Sequence, residues 1–179
     1  MKKVLIISTS LRNGSNSELL AKETEKGAKE AGHEVEFVSL KNKNIAFCKG
    51  CLACQKLGKC VIKDDANTIT EKIKKSDVIV WATPVYYYEM AGQMKTVIDR
   101  ANSLYSSNYK FREVYLITTS TEYSKTVADR VISGVQGWID CFEDVKLKKT
   151  LSGGGAEGPN AAKNMPELLK KAYELGKNI

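Results

Sequence analysis

Lys3-Val4-Leu5-Ile6-Ile7-Ser8-Thr9-Ser10-Leu11-Arg12-Asn13-Gly14-Ser15-Asn16-Ser17 is the stretch that decides the fold. Its four apolar residues, Val4 to Ile7, have the length of a buried strand and are too few for a secretory leader. From Asn16 to Ala31 the residues Leu19, Leu20, Thr24, Gly27, Ala28 and Ala31 recur at helical spacing, and Ala31-Gly32 closes the helix. Between strand and helix, Ser8 to Ser17 hold five hydroxyls, two amide side chains and one arginine. A helix N-terminus presents unpaired N–H groups and the positive end of a dipole, which suits a phosphate. The hydroxyls of Ser10, Ser15 and Ser17, the amide of Asn16 and the guanidinium of Arg12 add hydrogen bonds to such an anion. Ser15 and Ser17 also read as helix caps, but capping needs one such residue, so the surplus points to phosphate. The loop has neither Gly-x-Gly-x-x-Gly nor Gly-Lys-Ser/Thr, and it fits a mononucleotide's terminal phosphate better than a pyrophosphate.

Outward from that stretch, strands and helices alternate. Val35, Phe37 and Leu40 mark a second strand, Asp77 to Thr83 a third, Val114 to Thr119 a fourth and Val145 to Leu151 a fifth. Helices are expected from Asp64-Asp65 to about Lys75, from Met90 to about Asn102, from Tyr123 to Asp140 and from Pro166 to Asn178. The alternation predicts a parallel α/β sheet with helices on both faces, in one domain covering residues 1–179. In open parallel sheets, ligands bind beyond the carboxyl ends of the strands, where the strand order reverses. Thr83-Pro84-Val85-Tyr86-Tyr87-Tyr88 leaves the third strand there, beside the polar loop. A proline-stiffened backbone with three tyrosines can lie along a flat ring, or the tyrosines can serve in packing.

Residues 41–64 make a long irregular insertion carrying Cys48-x-x-Cys51-x-x-Cys54-x5-Cys60. Long loops in compact domains are usually functional. Four thiolates at this spacing suit a [4Fe–4S] cluster, zinc is a second metal reading, and the cysteines can also simply pack the loop. Gly50 and Gly58 supply tight turns in each case. Cys141 stands alone on an apolar stretch and reads as core. His33, the single histidine, reads as a surface residue, so no Ser–His–Asp constellation exists.

The net charge of +7 comes from 28 basic and 21 acidic residues, with the lysines scattered along several elements. A nucleic-acid binder concentrates its bases, so no nucleic-acid partner is expected. No apolar run is long enough for a membrane span. Clustered cysteines and the short N-terminal apolar run point to a cytoplasmic protein with reduced thiols.

Taken together, Ser10-Leu11-Arg12 with Ser15-Asn16-Ser17, the four-cysteine run, Pro84-Val85-Tyr86 and Lys95-x3-Asp99-Arg100 resemble the NAD(P)H-dependent FMN reductases and iron–sulfur flavoproteins. The resemblance runs through nearly the whole chain and implies a flavodoxin-like three-layer sandwich, with a five-stranded parallel sheet in the order 2-1-3-4-5. It implies bound FMN, with Ser10, Arg12, Ser15, Asn16 and Ser17 at the phosphate. Pro84, Val85, Tyr86 and Tyr87 would then lie along the isoalloxazine, and Thr119, Ser120 and Tyr123 would form a second wall. NAD(P)H is the implied electron donor, and a quinone, flavin, nitro compound or redox protein the acceptor. A [4Fe–4S] cluster on Cys48, Cys51, Cys54 and Cys60 and a homodimer or homotetramer also follow from the likeness. Thr9 and Leu11 depart from the family's Gly-Ser-Pro-Arg, and Thr119-Ser120-Thr121-Glu122 lacks the glycines usual after the fourth strand. A non-enzymatic electron carrier and a zinc- or thiol-sensing regulator are the competing functions. The basic charge weighs against the carrier, since flavodoxins tend to be acidic.

Overall fold

The computed structural model describes residues 1–179. Its elements run β1 (Lys3–Ser8), α1 (Asn16–Glu30), β2 (Glu34–Ser39), α2 (Ala53–Leu57), α3 (Asp65–Lys75), β3 (Val78–Tyr86), β4 (Glu89–Met90), α4 (Gly92–Arg100), β5 (Glu113–Thr119), α5 (Asp129–Ile139), β6 (Lys146–Gly153) and α6 (Pro166–Lys177). The five long strands are parallel in the order β2-β1-β3-β5-β6, the doubly wound arrangement expected. The sheet has a sixth strand that was not expected: β4 pairs antiparallel with the end of β3.

The layers follow from the two-residue period of the strands. Leu5 and Ile7 of β1, Ile79 and Trp81 of β3 and Leu116 of β5 face α3, α4 and α5. Val4, Ile6, Val78, Val80 and Ile117 face α1 and α6. Val4 to Ile7 are wholly buried, as a strand covered on both faces requires. On the second face α1 and α6 approach closely at two glycines. A Cβ on Gly27 would stand 2.1 Å from the Tyr173 carbonyl oxygen, and one on Gly176 2.0 Å from that of Thr24. The Thr24 hydroxyl donates to Ala172 O at 2.9 Å across the same seam.

Three element boundaries differ from the sequence reading. β3 continues through Pro84 to Tyr86. Its neighbour β1 ends at Ser8, opposite Ala82, so Pro84 lies where that side of β3 is a free edge and needs no N–H. The helix expected from Tyr123 begins only at Asp129. Ser120 Oγ donates to Glu122 O and Ser124 Oγ accepts from the N–H of Thr126, local bonds that compete with a helical turn. The cysteine insertion is not wholly irregular, since α2 forms within it and ends at Gly58 with φ 68°. No helix is long and apolar enough to cross a membrane.

Candidate functional site

The loops after β1, β5 and β6 and the last residues of β3 meet at the carboxyl ends of the strands around a narrow cleft of about 60 Å³. Ser10, Arg12, Ser15 and Asn16 line one side. Pro84, Val85 and Tyr86 line a second, and Thr119, Ser120, Thr121 and Ala156 close it. This is the junction that the switch-point argument requires.

Ser15 caps α1, its Oγ accepting the Glu18 N–H at 3.2 Å. The N–H groups of Asn16 and Ser17 have no partner within the chain and open α1 toward an anion. Arg12 is exposed at the rim, and its guanidinium makes no bond to another side chain. Asn16 is used differently from the expectation. Its Nδ2 donates to Ala156 O and Gly158 O, both at 2.9 Å, and its Oδ1 accepts from Ala162 N at 3.0 Å. The side chain is fully engaged in fastening the segment after β6, so only its backbone N–H is left free. Ser17 is buried beneath, with its Oγ 3.1 Å from that of Ser15.

Of the residues expected along a ring, the structure brings only some to the cleft. Tyr86 lines the cleft, whereas Tyr87 stands at the apex of the β3–β4 hairpin, 97% exposed and away from it. Tyr87 and Tyr88 both have positive φ, 51° and 65°, the geometry of a type I′ turn usually built from Asn or Gly. Thr119 and Ser120 line the second wall. Tyr123 points to a different surface hollow, against Gly154 and Pro166. Thr121, in the same turn, and Ala156, which sequence reading did not select, complete the lining. Among the residues that line the cleft, Arg12 and Tyr86 are the titratable ones.

The cysteines line a separate cavity of about 440 Å³. Cys48, Cys51, Cys54 and Cys60 all border it, with Ile98, Trp138 and Phe142 among its apolar walls. Gly50 N–H points at Cys48 Sγ (3.4 Å), Asn102 Nδ2 at Cys54 Sγ (3.4 Å) and Arg100 Nε at Cys60 Sγ (3.3 Å). The thiols have the chemistry of soft-metal ligands, but no three Cys, His, Asp or Glu side chains converge to hold a metal ion. The arrangement therefore does not fit a bound cluster as it stands. Cys141, expected in the core, is exposed on the rim of this cavity, its Sγ–H donating to Gly137 O. It lies beyond the end of α5, whose apolar stripe is already filled by Val131, Val135, Trp138 and Ile139.

Arg100 fastens this loop, a role the sequence did not reveal. It is fully buried, and besides Cys60 its guanidinium donates to Ala46 O (2.7 Å), Ile62 O (3.2 Å) and both carboxylate oxygens of Asp64 (2.6 and 2.8 Å). Burial works to raise the Asp64 carboxyl. The bonds from Arg100 and from the N–H groups of Ala46 and Ala66 outweigh it and hold the group below the usual aspartate value. His33 lies at the other end of the sheet, where its Nδ1 accepts the Lys2 N–H.

A doubly wound parallel sheet whose α1 N-terminus and proline-stiffened β3 end meet at the switch point has the flavodoxin-like fold. A sequence model described as NADPH-dependent FMN reductase matches residues 2–134, and the chain belongs to that family. It is 33% identical over 138 residues to an iron–sulfur flavoprotein of Methanosarcina thermophila, covering 76% of this chain and 72% of the relative. An iron–sulfur flavoprotein of Methanocaldococcus jannaschii is 40% identical over 102 residues, 57% of this chain; the match spans about half, 53%, of that relative's length. Among solved structures, an NAD(P)H:quinone oxidoreductase of Methanothermobacter marburgensis shares the fold, with a TM-score of 0.76 at 17% identity over 99% of this chain and 98% of that one.

Proposed function

We propose that the chain is an FMN-dependent oxidoreductase that takes electrons from NAD(P)H and passes them to a small acceptor such as a quinone, a flavin or a nitro compound. The observation that carries this reading is the convergence of the α1 N-terminus, Arg12 and the Pro84–Tyr86 wall on one cleft. The unpaired N–H groups of Asn16 and Ser17, the hydroxyls of Ser10 and Ser15 and the Arg12 guanidinium would hold the phosphate. Val85, Tyr86, Thr119, Ser120 and Thr121 would hold the ring. When bound, FMN supplies hydride acceptance from the nicotinamide and release of electrons to the acceptor. The chain's own part is to bind, orient and shield, and no side chain is assigned proton transfer.

The test is titration of flavin-free protein with FMN by fluorescence quenching, followed by anaerobic addition of NADPH. Stoichiometric quenching and bleaching of the flavin absorbance are expected. Protein that takes up no FMN refutes the proposal, and tight FMN that NAD(P)H does not reduce favours the electron carrier.

One observation favours a second reading, single-electron transfer to a redox protein through an iron–sulfur cluster. All four loop thiols border one cavity, and three of them face N–H groups, as thiolate ligands often do. Holding a cluster would require residues 48–60 to draw their sulfurs together. The visible spectrum of protein purified without oxygen separates the two readings: a broad shoulder under the flavin bands supports the cluster, and clean flavin bands exclude it. Five free cysteines suit a reducing cytoplasm, and the exposed aromatic hairpin beside the cleft suits burial in a homodimer or homotetramer.

A further inference from the structure

A contact joins the two turns that follow the cleft's walls, just beyond its lining residues. Tyr88 closes the turn between β3 and β4, and its hydroxyl donates to Glu122 Oε2 at 2.8 Å. Glu122 sits in the turn after β5. The two walls, Pro84 to Tyr86 on one side and Thr119 to Thr121 on the other, are thereby joined at their outer ends. Both anchors are held from behind. The Tyr88 backbone is fixed by the Tyr86–Glu89 pairing, and the Glu122 carbonyl accepts Ser120 Oγ at 2.9 Å. Gly154 also packs there, where a Cβ would stand 3.0 Å from Glu122 O.

The turn itself points to a use for the side chain. Its left-handed backbone favours Gly or Asn, yet position 88 carries a tyrosine with φ 65°. The hydrogen bond that Tyr88 donates to the Glu122 carboxylate raises the hydroxyl's pKa above its ordinary value, so the donor stays protonated. The cleft between the two walls is narrow, about 60 Å³, and Tyr88 and Glu122 lie just beyond its lining residues on either side. Because the contact ties one wall to the other, breaking it frees them to move apart.

We propose that Tyr88 and Glu122 form a clasp across the flavin cleft, and that its opening gates passage of the isoalloxazine ring in both directions. Tyr88 is on this account a positioning residue, and the proposal rests on the FMN reading above. A gate that must open for both steps slows association and dissociation alike, whereas a simple contact to bound flavin slows dissociation alone.

The experiment is stopped-flow FMN quenching on the full chain. Tyr88→Phe and Glu122→Ala should each raise both rate constants about three- to tenfold, the range expected for losing one hydrogen bond, with the FMN dissociation constant nearly unchanged. The double variant should be no faster than either single one, and Glu122→Gln, which keeps an oxygen acceptor, should stay near wild type. Unchanged melting temperatures show that the fold is intact. Rates unchanged in Tyr88→Phe, or a rise in dissociation alone, overturn the clasp while leaving FMN binding standing. A wild-type protein that does not quench FMN overturns the flavin reading, and the clasp with it.

Discussion

Replacing Arg100 by methionine should loosen the cysteine loop and destabilise the fold by about 3 kcal/mol, the lower end of the usual cost of removing one partner from a buried ion pair. The guanidinium has no exposed surface and Asp64 only 3%, so water cannot take over the lost bonds. Asp64 keeps the N–H donors of Ala46 and Ala66, which is why the lower end applies. The carbonyls of Ala46 and Ile62 lose their guanidinium donors, although Ile62 O still accepts from Asn67. For a chain of this size, about 3 kcal/mol corresponds to a fall of roughly 6–12 °C in melting temperature. The sign with pH is fixed by Asp64. Its folded pKa lies below the ordinary 3.8, so the pair contributes fully above that value and is lost as the pH falls through the lowered one. The gap between wild type and Arg100→Met should therefore be widest near neutrality and shrink in acid. Urea unfolding at a series of pH values measures it. Thiol titration with a disulfide reagent follows the loop, with buried Cys54 and partly buried Cys60 reacting faster in the variant. A loss below about 1 kcal/mol at pH 7, with thiol rates unchanged, would show that the guanidinium does not hold the loop.

Three further outcomes follow from other parts of the molecule. Gly27→Ala should cost about 3 kcal/mol or more, because its Cβ would meet a backbone carbonyl at 2.1 Å and α6 would have to move as a body; chemical denaturation reads this. Arg12→Ala should weaken FMN binding about tenfold or more while leaving riboflavin, which lacks the phosphate, unaffected; parallel quenching titrations check it. Tyr87→Gly should stabilise the protein by about 1 kcal/mol by relieving a left-handed backbone, raising the melting temperature by roughly 2–4 °C in a calorimetric scan.

What was legible in the sequence was whatever repeats with a fixed period or sits within one local stretch. Val4 to Ile7, the polar loop and the α1 stripe state the fold because their signals are adjacent in the chain. The parallel strands follow from alternation, and Ser15 is both the expected cap and a cleft residue. The hairpin after β3 was hidden because its turn is Tyr-Tyr, without the Asn-Gly or Gly that marks such turns. The late start of α5 was hidden because Val127 extends the stripe of Val131 and Val135 upstream of the true cap, while the hydroxyls that break the helix carry no period.

The residues whose partners are remote were not legible at all. Asn16 reads as a phosphate ligand on its position alone, yet its amide bonds lie 140 to 146 residues away. Arg100 reads as the end of a short motif, and its partners lie 36 to 54 residues upstream. One helix links the surroundings of the two cavities. Ala91, which precedes α4, gives its N–H to Thr83 Oγ1 beside the cleft, and Arg100 closes α4 at the cysteine cavity. A nine-residue helix is about 14 Å long, so a single rigid rod runs from the exit of β3 to the loop that carries the thiols. Whatever occupies the two cavities, their spacing is set by α4 and its end contacts. That gives the Lys95-x3-Asp99-Arg100 stretch a physical reason to accompany both the Pro84-Val85-Tyr86 wall and the cysteine run in the same chain.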